Sequence, residues 1–299
     1  MKTWKKVGLT ALSASLISVS ANAGALDVTG AASITFHSDQ DSTGNPYTHN
    51  KDITFSGSGD LDNGMTVAYS YTMTDAAASD STVAIGMGDG GTVTFGNVSG
   101  GVRAYDAMIP NAKEEAWDDL AGEANVVSAS ASANSFVYTG TFGGVDVTAE
   151  YNKNGSSNAT DSSIGASYTI SDTGLTVGYA AGEDGETVDE DVMYVKYVIG
   201  GATLGYSVYD REVSATTTGD REATQYGVSF AVNENLSVSY GKASVDFGNS
   251  DTDQESTGAS ISYTMGSITI AAASNKEKGT GGTSGSEDKM TEATVSFAF

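Results

Sequence analysis

The stretch MTVAYSYTMT, residues 65–74, alternates apolar residues with small polar ones at a period of two. Neighbouring side chains of an extended strand point to opposite faces, so Met65, Val67 and Tyr69 share one face and Thr66 and Ala68 the other. The first face suits hydrocarbon, whereas the second tolerates water. The stretch therefore predicts a β-strand with one oily side and one wet side.

Comparable runs recur along the whole chain, and sixteen such strands are predicted in all. Tight turns rich in Gly, Asn and Asp alternate with longer polar loops, which begin with residues 38–50, end with residues 275–288 and are longest at residues 97–134. An even number of amphipathic strands with alternating connections is typical of an up-and-down barrel in a membrane. The sequence predicts an all-β fold, a 16-stranded antiparallel transmembrane β-barrel with its longer loops outside the cell.

The wet faces of these runs consist mostly of Ser, Thr, Gly and Ala. A soluble β-sandwich, the main alternative fold, needs an inner face of large apolar residues, because burial contributes only about 25 cal/mol per Å². Faces built from such small residues supply little of that area. We therefore favour a barrel that encloses water.

The amino end has the pattern of an export signal. Three lysines precede a mildly apolar segment, residues 7–19, and the small-x-small tripeptide Ala-Asn-Ala follows at residues 21–23. The apolar segment is shorter than the roughly 20 residues that a membrane-spanning helix needs. We expect residues 1–23 to be a cleaved signal peptide and residues 24–299 to form the barrel.

Charge and composition exclude several function classes. The chain has 38 Asp and Glu against 14 Lys and Arg, a formal net charge of −24, so nucleic acid is not an expected partner. It has no cysteine, and His37 and His49 are its only histidines. No H-E-x-x-H or G-x-S-x-G motif is present, so we predict that the protein is not an enzyme. A hydrolase using His37, which lies on a predicted inward face, is the one enzymatic alternative.

Four segments resemble those of the general diffusion porins of α-proteobacteria. They are LDVTGAASITF from Leu26, FSGSGDLDNGMTVAYSY from Phe55, GTVTFGNVSGG from Gly91, and the terminal VSFAF that ends at Phe299. The resemblance implies a Gram-negative outer-membrane barrel, usually a homotrimer embedded in lipid, that passes ions and small hydrophilic solutes. It also implies that the third external loop folds inward and that the assembly machinery reads Phe299.

The third loop, residues 97–134, is long enough to have a function of its own, since structureless loops beyond about 15 residues are uncommon. Asn111 is suited to an N-cap, Glu114 follows three residues later and Gly122 can end a helix. These features predict a short helix, with Ala116, Leu120 and Trp117 packed on the barrel wall. The alternative is a solvated external loop whose acids keep it soluble.

A selective pore needs fixed charges at its narrowest point. We predict a constriction in which loop acids face wall bases, although the porins that this chain resembles have a denser basic cluster, partly on early strands. The acid surplus predicts moderate cation selectivity, and Ca²⁺ could bind the acidic loops. No other cofactor is expected. The predicted constriction residues are Asp106, Glu114, Glu115, Asp118 and Asp119 of the loop and Lys196 and Arg211 of the wall.

Two alternatives concern what such a barrel does. A substrate-specific channel for sugars would need a row of aromatic side chains along the lumen, and the predicted inward faces offer chiefly Tyr194 and Tyr209. An adhesin would use the acidic loops to attach to a surface without conducting. General diffusion is the function that the sequence favours.

Overall fold

The computed structural model describes residues 26–39, 44–74, 77–105, 108–122, 134–153, 160–185, 187–214 and 219–299. The predicted signal peptide, residues 1–23, lies outside these ranges. Within them the chain forms one closed barrel of sixteen antiparallel strands, as predicted. No helix in the described ranges is long and apolar enough to span a membrane.

Each strand pairs with the next along the chain, and β1 pairs with β16 to close the barrel. The strands are β1 Asp27–Asp39, β2 Tyr47–Asp60, β3 Thr66–Thr74, β4 Ala77–Gly86, β5 Thr92–Gly96, β6 Ser135–Phe142, β7 Val145–Lys153, β8 Thr160–Ile170, β9 Leu175–Asp184, β10 Val188–Ile199, β11 Ala202–Val213, β12 Arg221–Ala231, β13 Leu236–Phe247, β14 Gln254–Met265, β15 Ile268–Lys278 and β16 Glu287–Ala298.

The seam between the first and last strands includes the terminal residue. The register runs from Ala31 opposite Ala298 to Asp39 opposite Met290. Beyond it, the Gly30 amide donates to the Phe299 carbonyl at 2.7 Å, and the Phe299 amide donates back to the Gly30 carbonyl at 2.9 Å. The carboxyl end thus completes the hydrogen-bonded wall.

Alternate residues have opposite environments along each strand, as the period of two predicts. On β11, Leu204 and Tyr206 are 46% and 40% exposed on the outer face, whereas Ser207 and Tyr209 are fully buried on the inner face. Large apolar side chains cover the outer perimeter on every strand from β1 to β16. The soluble sandwich is therefore excluded, because the described strands form one cylinder and not two stacked sheets.

The short turns lie where the sequence places them, but most of the other connections are shorter than predicted. The first loop is residues 40–46 and the last is residues 279–286, while only residues 75–76 join β3 to β4. The difference arises because polar residues at the strand ends continue the hydrogen-bonded ladder: Thr48, for example, pairs with Thr35. Only the third loop, residues 97–134, is much longer than its neighbours.

This third loop departs from β5, the shortest strand, and its described part lies inside the barrel against the wall. The main hydrophobic cluster forms there, between the loop and the inner faces of β9 to β13. It contains Val102, Tyr105, Ile109, Ala116 and Trp117 from the loop and Ala180, Val192, Tyr194, Tyr209, Ala223, Ala243, Val245 and Phe247 from the wall.

Candidate pore constriction

The start of the third loop is fixed to the wall by side chains. Gly100 donates its amide to Glu150 Oε2 at 2.9 Å, and Gly101 donates its amide to Thr148 Oγ1 at 3.1 Å. Both acceptors lie on the inward face of β7. These bonds satisfy loop amides that have no strand partner, so the loop can leave the ladder and enter the barrel.

A buried ion pair follows in the same segment. Nη1 of Arg103 lies 2.5 Å from Oε1 of Glu150, and Nη2 lies 3.9 Å from the carboxylate of Asp161 on β8. The Arg103 and Glu150 side chains are 10% and 1% exposed. Arg103–Tyr105 forms one turn of 3-10 helix. The positive charge of Arg103 is therefore used to hold the loop against two wall acids.

Tyrosines fill the space between this turn and the wall. The Tyr105 ring packs edge-on against the Tyr194 ring, with centroids 5.1 Å apart, and the Tyr209 hydroxyl donates to the Tyr105 carbonyl at 2.6 Å. Burial raises the pKa of the Tyr105 hydroxyl, which keeps it neutral. Tyr194 and Tyr209 are 4% and 0% exposed. The two candidate sugar-contacting aromatics are thus covered by the loop and do not line the lumen.

The helix predicted after Asn111 is wrong, because the described segment 108–122 contains bends and a single turn. The Asp118 carboxylate accepts the Glu115 amide at 2.8 Å. Asn275 Nδ2, on β15, donates to the Glu115 and Asp118 carbonyls at 3.3 and 3.0 Å, and Asp119 has a φ of 56°. The Asp118 and Asn275 side chains therefore bind backbone groups that would otherwise form helical hydrogen bonds. The left-handed backbone of Asp119 also prevents a helix from continuing through this residue.

Packing of this turn agrees with the prediction for its apolar residues and differs for one acid. Ala116 and Trp117 are 5% and 4% exposed against the wall, as expected, while Leu120 is half-buried. Glu115 is predicted to face the channel, but it is only 5% exposed. Asp119 is exposed.

The electrostatics of the turn centre on Lys113. Its ammonium contacts the carboxylates of Glu114 and of Glu292 on β16. Glu114 also accepts from Asn275 Nδ2 at 2.9 Å. Burial raises the pKa of the Glu114 carboxyl, and Lys113 only partly opposes this; burial likewise raises the pKa of Asp118, with Asp119 adding to the effect.

The predicted wall bases face inward but lie away from these contacts. Arg211 Nε lies 3.5 Å from Glu190 Oε1, and Arg211 Nη1 donates to the Gly219 carbonyl at 3.2 Å. Lys196 has no ion-pair partner in the described part of the chain and faces inward on β10, opposite Gly205 on β11. Lys113 is therefore the base that contacts Glu114 and lies near Asp118, whereas His37 lies near Asp119. Asp106 lies outside the described residues.

Sequence reasoning missed Lys113, Asn275 and Glu292. Lys113 precedes the acidic run directly, so its position in the sequence was an available signal. Asn275 and Glu292 lie more than 150 residues along the chain from the loop residues that they contact, and only the strand order of the closed barrel brings them together.

One group of side chains could hold a cation. Ligand atoms of His37, Asp119 and Glu292 lie within 4.8 Å of one another. Glu292 already contacts the Lys113 ammonium, and an imidazole is a poor ligand for Ca²⁺, which prefers oxygen. The predicted calcium binding at the acidic loops therefore gains no specific site here.

A closed barrel with an apolar perimeter and a charged loop folded into its interior defines a membrane channel. The chain matches the family model described as Gram-negative porin over residues 8–295. It belongs to the Gram-negative porin family, which confirms the resemblance read from the sequence. An outer-membrane porin channel follows from family and fold together, and such channels are not enzymes.

Solved porin structures share this fold. A porin refined at 1.8 Å resolution is 15% identical, covers 92% of this chain and 100% of its own, and superposes with a TM-score of 0.69. A variant of the Rh. blastica porin is 16% identical over 92% of this chain and 100% of its own, with a TM-score of 0.67. OmpT of Vibrio cholerae, in its trimer form, is 12% identical over 93% of this chain and 100% of its own, with a TM-score of 0.71. No curated protein sequence matches this chain significantly.

Proposed function

We propose that this protein is a general diffusion porin with moderate cation selectivity, which passes ions and small hydrophilic solutes passively. The observation that carries the proposal is the acidic turn of the third loop, which holds Glu114, Asp118 and Asp119 inside the barrel, where Lys113 contacts Glu114. Negative charge on a lumen raises the local concentration of cations.

The wall adds to this negative charge. On the inward faces of the described strands the acids outnumber the bases, even though Glu150, Glu190 and Glu292 are paired with Arg103, Arg211 and Lys113. The inward acids include Asp52, Asp146, Glu150, Glu190, Glu277 and Glu292, against Lys196, Arg211 and Arg221.

General diffusion is favoured over a substrate-specific channel because the loop covers Tyr194 and Tyr209. Without these rings the described lumen has no row of aromatic side chains on which a sugar could slide. An adhesin is the remaining alternative, and it would require surface attachment without conductance.

The assembly is part of the proposal. We infer a homotrimer, since OmpT of Vibrio cholerae has a trimer form with this fold. We also infer export by cleavage after residue 23, external placement of the third loop's side of the barrel, and recognition of Phe299 by the assembly machinery. Calcium at the acidic loops is a secondary proposal, based on the preference of Ca²⁺ for carboxylates.

The test is planar-bilayer recording of the refolded protein under a salt gradient, combined with swelling of liposomes in sugars of increasing size. We expect a cation-selective reversal potential and flux that declines smoothly with solute size. Asp119→Asn should lower the cation preference while keeping the left-handed backbone, which Asn tolerates. Glu255→Gln, on the outer face, is the matched control.

Each alternative has its own result in these recordings. Anion preference in the wild-type protein would refute the selectivity, and saturation by one solute class would indicate a substrate-specific channel. Absence of conductance, with attachment to cells retained, would indicate an adhesin.

A further inference from the structure

The inner wall beneath the third loop contains four glycines in one cross-strand row. Each is the register partner of the next, from β11 to β14. Lys196 precedes the row on β10, and Asn275 follows it on β15. The members of this glycine row are Gly205, Gly227, Gly241 and Gly258.

The loop lies directly on the first half of the row. A Cβ atom added at Gly205 would collide with the Pro110 ring, and one added at Gly227 would collide with the Ile109 side chain. Ile109 is 3% exposed and belongs to the hydrophobic cluster between the loop and the wall, so moving it would disturb buried packing. The loop and the sheet thus approach more closely here than any larger residue would permit.

Ala116 covers the second half of the row in two different ways. A Cβ atom at Gly241 would lie 3.1 Å from the Ala116 methyl carbon. A Cβ atom at Gly258 would lie 2.8 Å from the Ala116 Cα, which is backbone, and would also collide with the Asn275 amide oxygen. The first contact disappears if Ala116 loses its methyl group, whereas the second does not.

Polar groups beside the row hold the loop in place. Ser239 Oγ accepts the Ala112 amide at 2.9 Å, and Ser260 Oγ accepts the Lys113 amide at 3.1 Å. Both serines face inward on strands that contribute glycines to the row. Together with Asn275, they bind the backbone of the loop at the depth that the glycines allow.

We propose that the glycine row sets the width of the pore: Gly205, Gly227, Gly241 and Gly258 are positioning residues that let the acidic turn lie flush with the wall. The wall is a closed hydrogen-bonded cylinder and cannot yield, whereas the loop is held by a few side-chain contacts. A side chain added to the row must therefore lift the loop into the lumen. The inference rests on the proposed diffusion function, because only a diffusion pore reports its width as conductance and size limit.

The first test measures single-channel conductance and the sugar size limit of Gly241→Ala, Gly241→Val and Gly258→Ala. We expect both quantities to fall clearly in Gly241→Val and Gly258→Ala, and by less in Gly241→Ala, where the Ala116 methyl group must move by only a few tenths of an ångström. Ala68→Val is the control, because Ala68 is an exposed inward residue on β3 outside the row. It adds more volume than a single methyl group but displaces no loop, so its conductance should stay near wild type.

The second test is a rescue that distinguishes loop displacement from general damage to the barrel. Ala116→Gly should restore the conductance of Gly241→Ala, because it removes the one methyl group in the way. It should not restore Gly258→Ala, where the obstacle is the Ala116 Cα and the Asn275 amide. The Ala116→Gly single variant gives the reference conductance for both pairs.

Each possible conductance result either supports or overturns the inference. Wild-type conductance in Gly241→Val and Gly258→Ala overturns the inference, as does rescue of both glycine variants or of neither. If Gly258→Ala does not fold, the Gly241 series with and without Ala116→Gly still decides. Failure of the wild-type protein to conduct would instead refute the proposed function, so the two failures are distinguishable.

Discussion

Arg103 in the third loop and Glu150 on β7 form an ion pair that is almost closed to solvent, with Nη1 and Oε1 2.5 Å apart and side chains 10% and 1% exposed. Glu150 also accepts the Gly100 amide and the Ser135 hydroxyl. One carboxylate therefore joins the start of the loop to two strands. A buried charge with several partners is costly to leave alone, so this pair is expected to control whether the loop docks.

Replacing Arg103 alone should release the start of the loop. Arg103→Met leaves Glu150 buried without its ion pair, which costs about 3–5 kcal/mol in comparable cases. We expect faster hydrogen exchange at the amides of residues 100–105. Adding Glu150→Gln should recover most of the protection, because the charge is removed while an acceptor for Gly100 is retained.

The exposed pair of Lys276 and Glu287 is the control for this prediction. Its side chains are 41% and 43% exposed at 3.7 Å, and such pairs contribute about 0–1 kcal/mol. Lys276→Met should leave loop exchange unchanged. Equal effects of the Arg103 and Lys276 variants would show that the buried pair has no special role in docking.

The acidic turn predicts how selectivity depends on pH. Burial raises the pKa of Glu114 above its ordinary 4.5 and that of Asp118 above its ordinary 3.8. A buried carboxyl with a raised pKa favours the docked loop when it is protonated. This stabilisation is complete below the ordinary pKa of the carboxyl and is lost as pH rises through the raised pKa. Acidification should therefore tighten docking while it removes lumen charge.

The measurement is the reversal potential as pH is lowered from neutral. We expect the midpoint of the fall in cation preference to lie at a pH above 4.5, the ordinary pKa of a glutamate carboxyl. Glu114→Gln combined with Asp118→Asn should show weaker cation preference at neutral pH and should move that midpoint to lower pH. A wild-type midpoint at or below 4.5 would contradict the assignment.

The sequence predicted the barrel well because the determinants of strands are local. The alternation that places Leu204 outside and Ser207 inside is visible within a few residues, and so are the Gly-rich turns. The predicted helix in residues 111–122 failed for the opposite reason: Asn275, on a distant strand, takes the carbonyls that a helix needs. The sequence overestimates the length of the external loops, because polar strand ends have the composition of loops.

The same distinction applies to the constriction. The acids of the loop are visible as a run in the sequence, and the period of two places Lys196 and Arg211 on the inward faces where the structure has them. Which base lies next to which acid depends on barrel closure, which brings Glu292 to Lys113. The ion pairs between the loop and distant strands are therefore the feature that a single sequence predicts least well.

Lys113 should moderate the charge of the constriction. Its ammonium lies between Glu114 and Glu292, so Lys113→Met removes the only base in contact with both acids among the described residues. At pH 8 we expect stronger cation preference, measured as reversal potential. Because buried carboxyls without a cation have still higher pKa values, the loss of that preference on acidification should begin at higher pH than in the wild-type protein.

Lys242→Met is the matched control for the Lys113 variant. Lys242 lies on the outward face of β13 and pairs with Glu255 at 3.2 Å, with side chains 36% and 55% exposed. Its loss removes the same charge from the protein but not from the lumen. Equal shifts in the two variants would mean that net charge, and not the constriction, determines selectivity.

Two adjacent residues on β14 separate the lipid face from the water face. Ile261 is 45% exposed on the apolar perimeter, and Ser262 points into the barrel. Ile261→Arg places a charge in hydrocarbon, which costs about 2–4 kcal/mol near the middle of a bilayer. We expect a lower unfolding free energy in urea, measured on protein folded into liposomes, with no change in reversal potential.

Ser262→Arg should have the reverse effect, because the same side chain enters water inside the barrel. Stability should stay close to that of the wild-type protein, while the added positive charge weakens cation preference. The two variants introduce the same side chain at adjacent residues. They therefore separate its effect on the unfolding free energy from its effect on cation selectivity. If Ser262→Arg destabilised the barrel as much as Ile261→Arg, the inner face would have to be dry, and the channel would lose its physical basis.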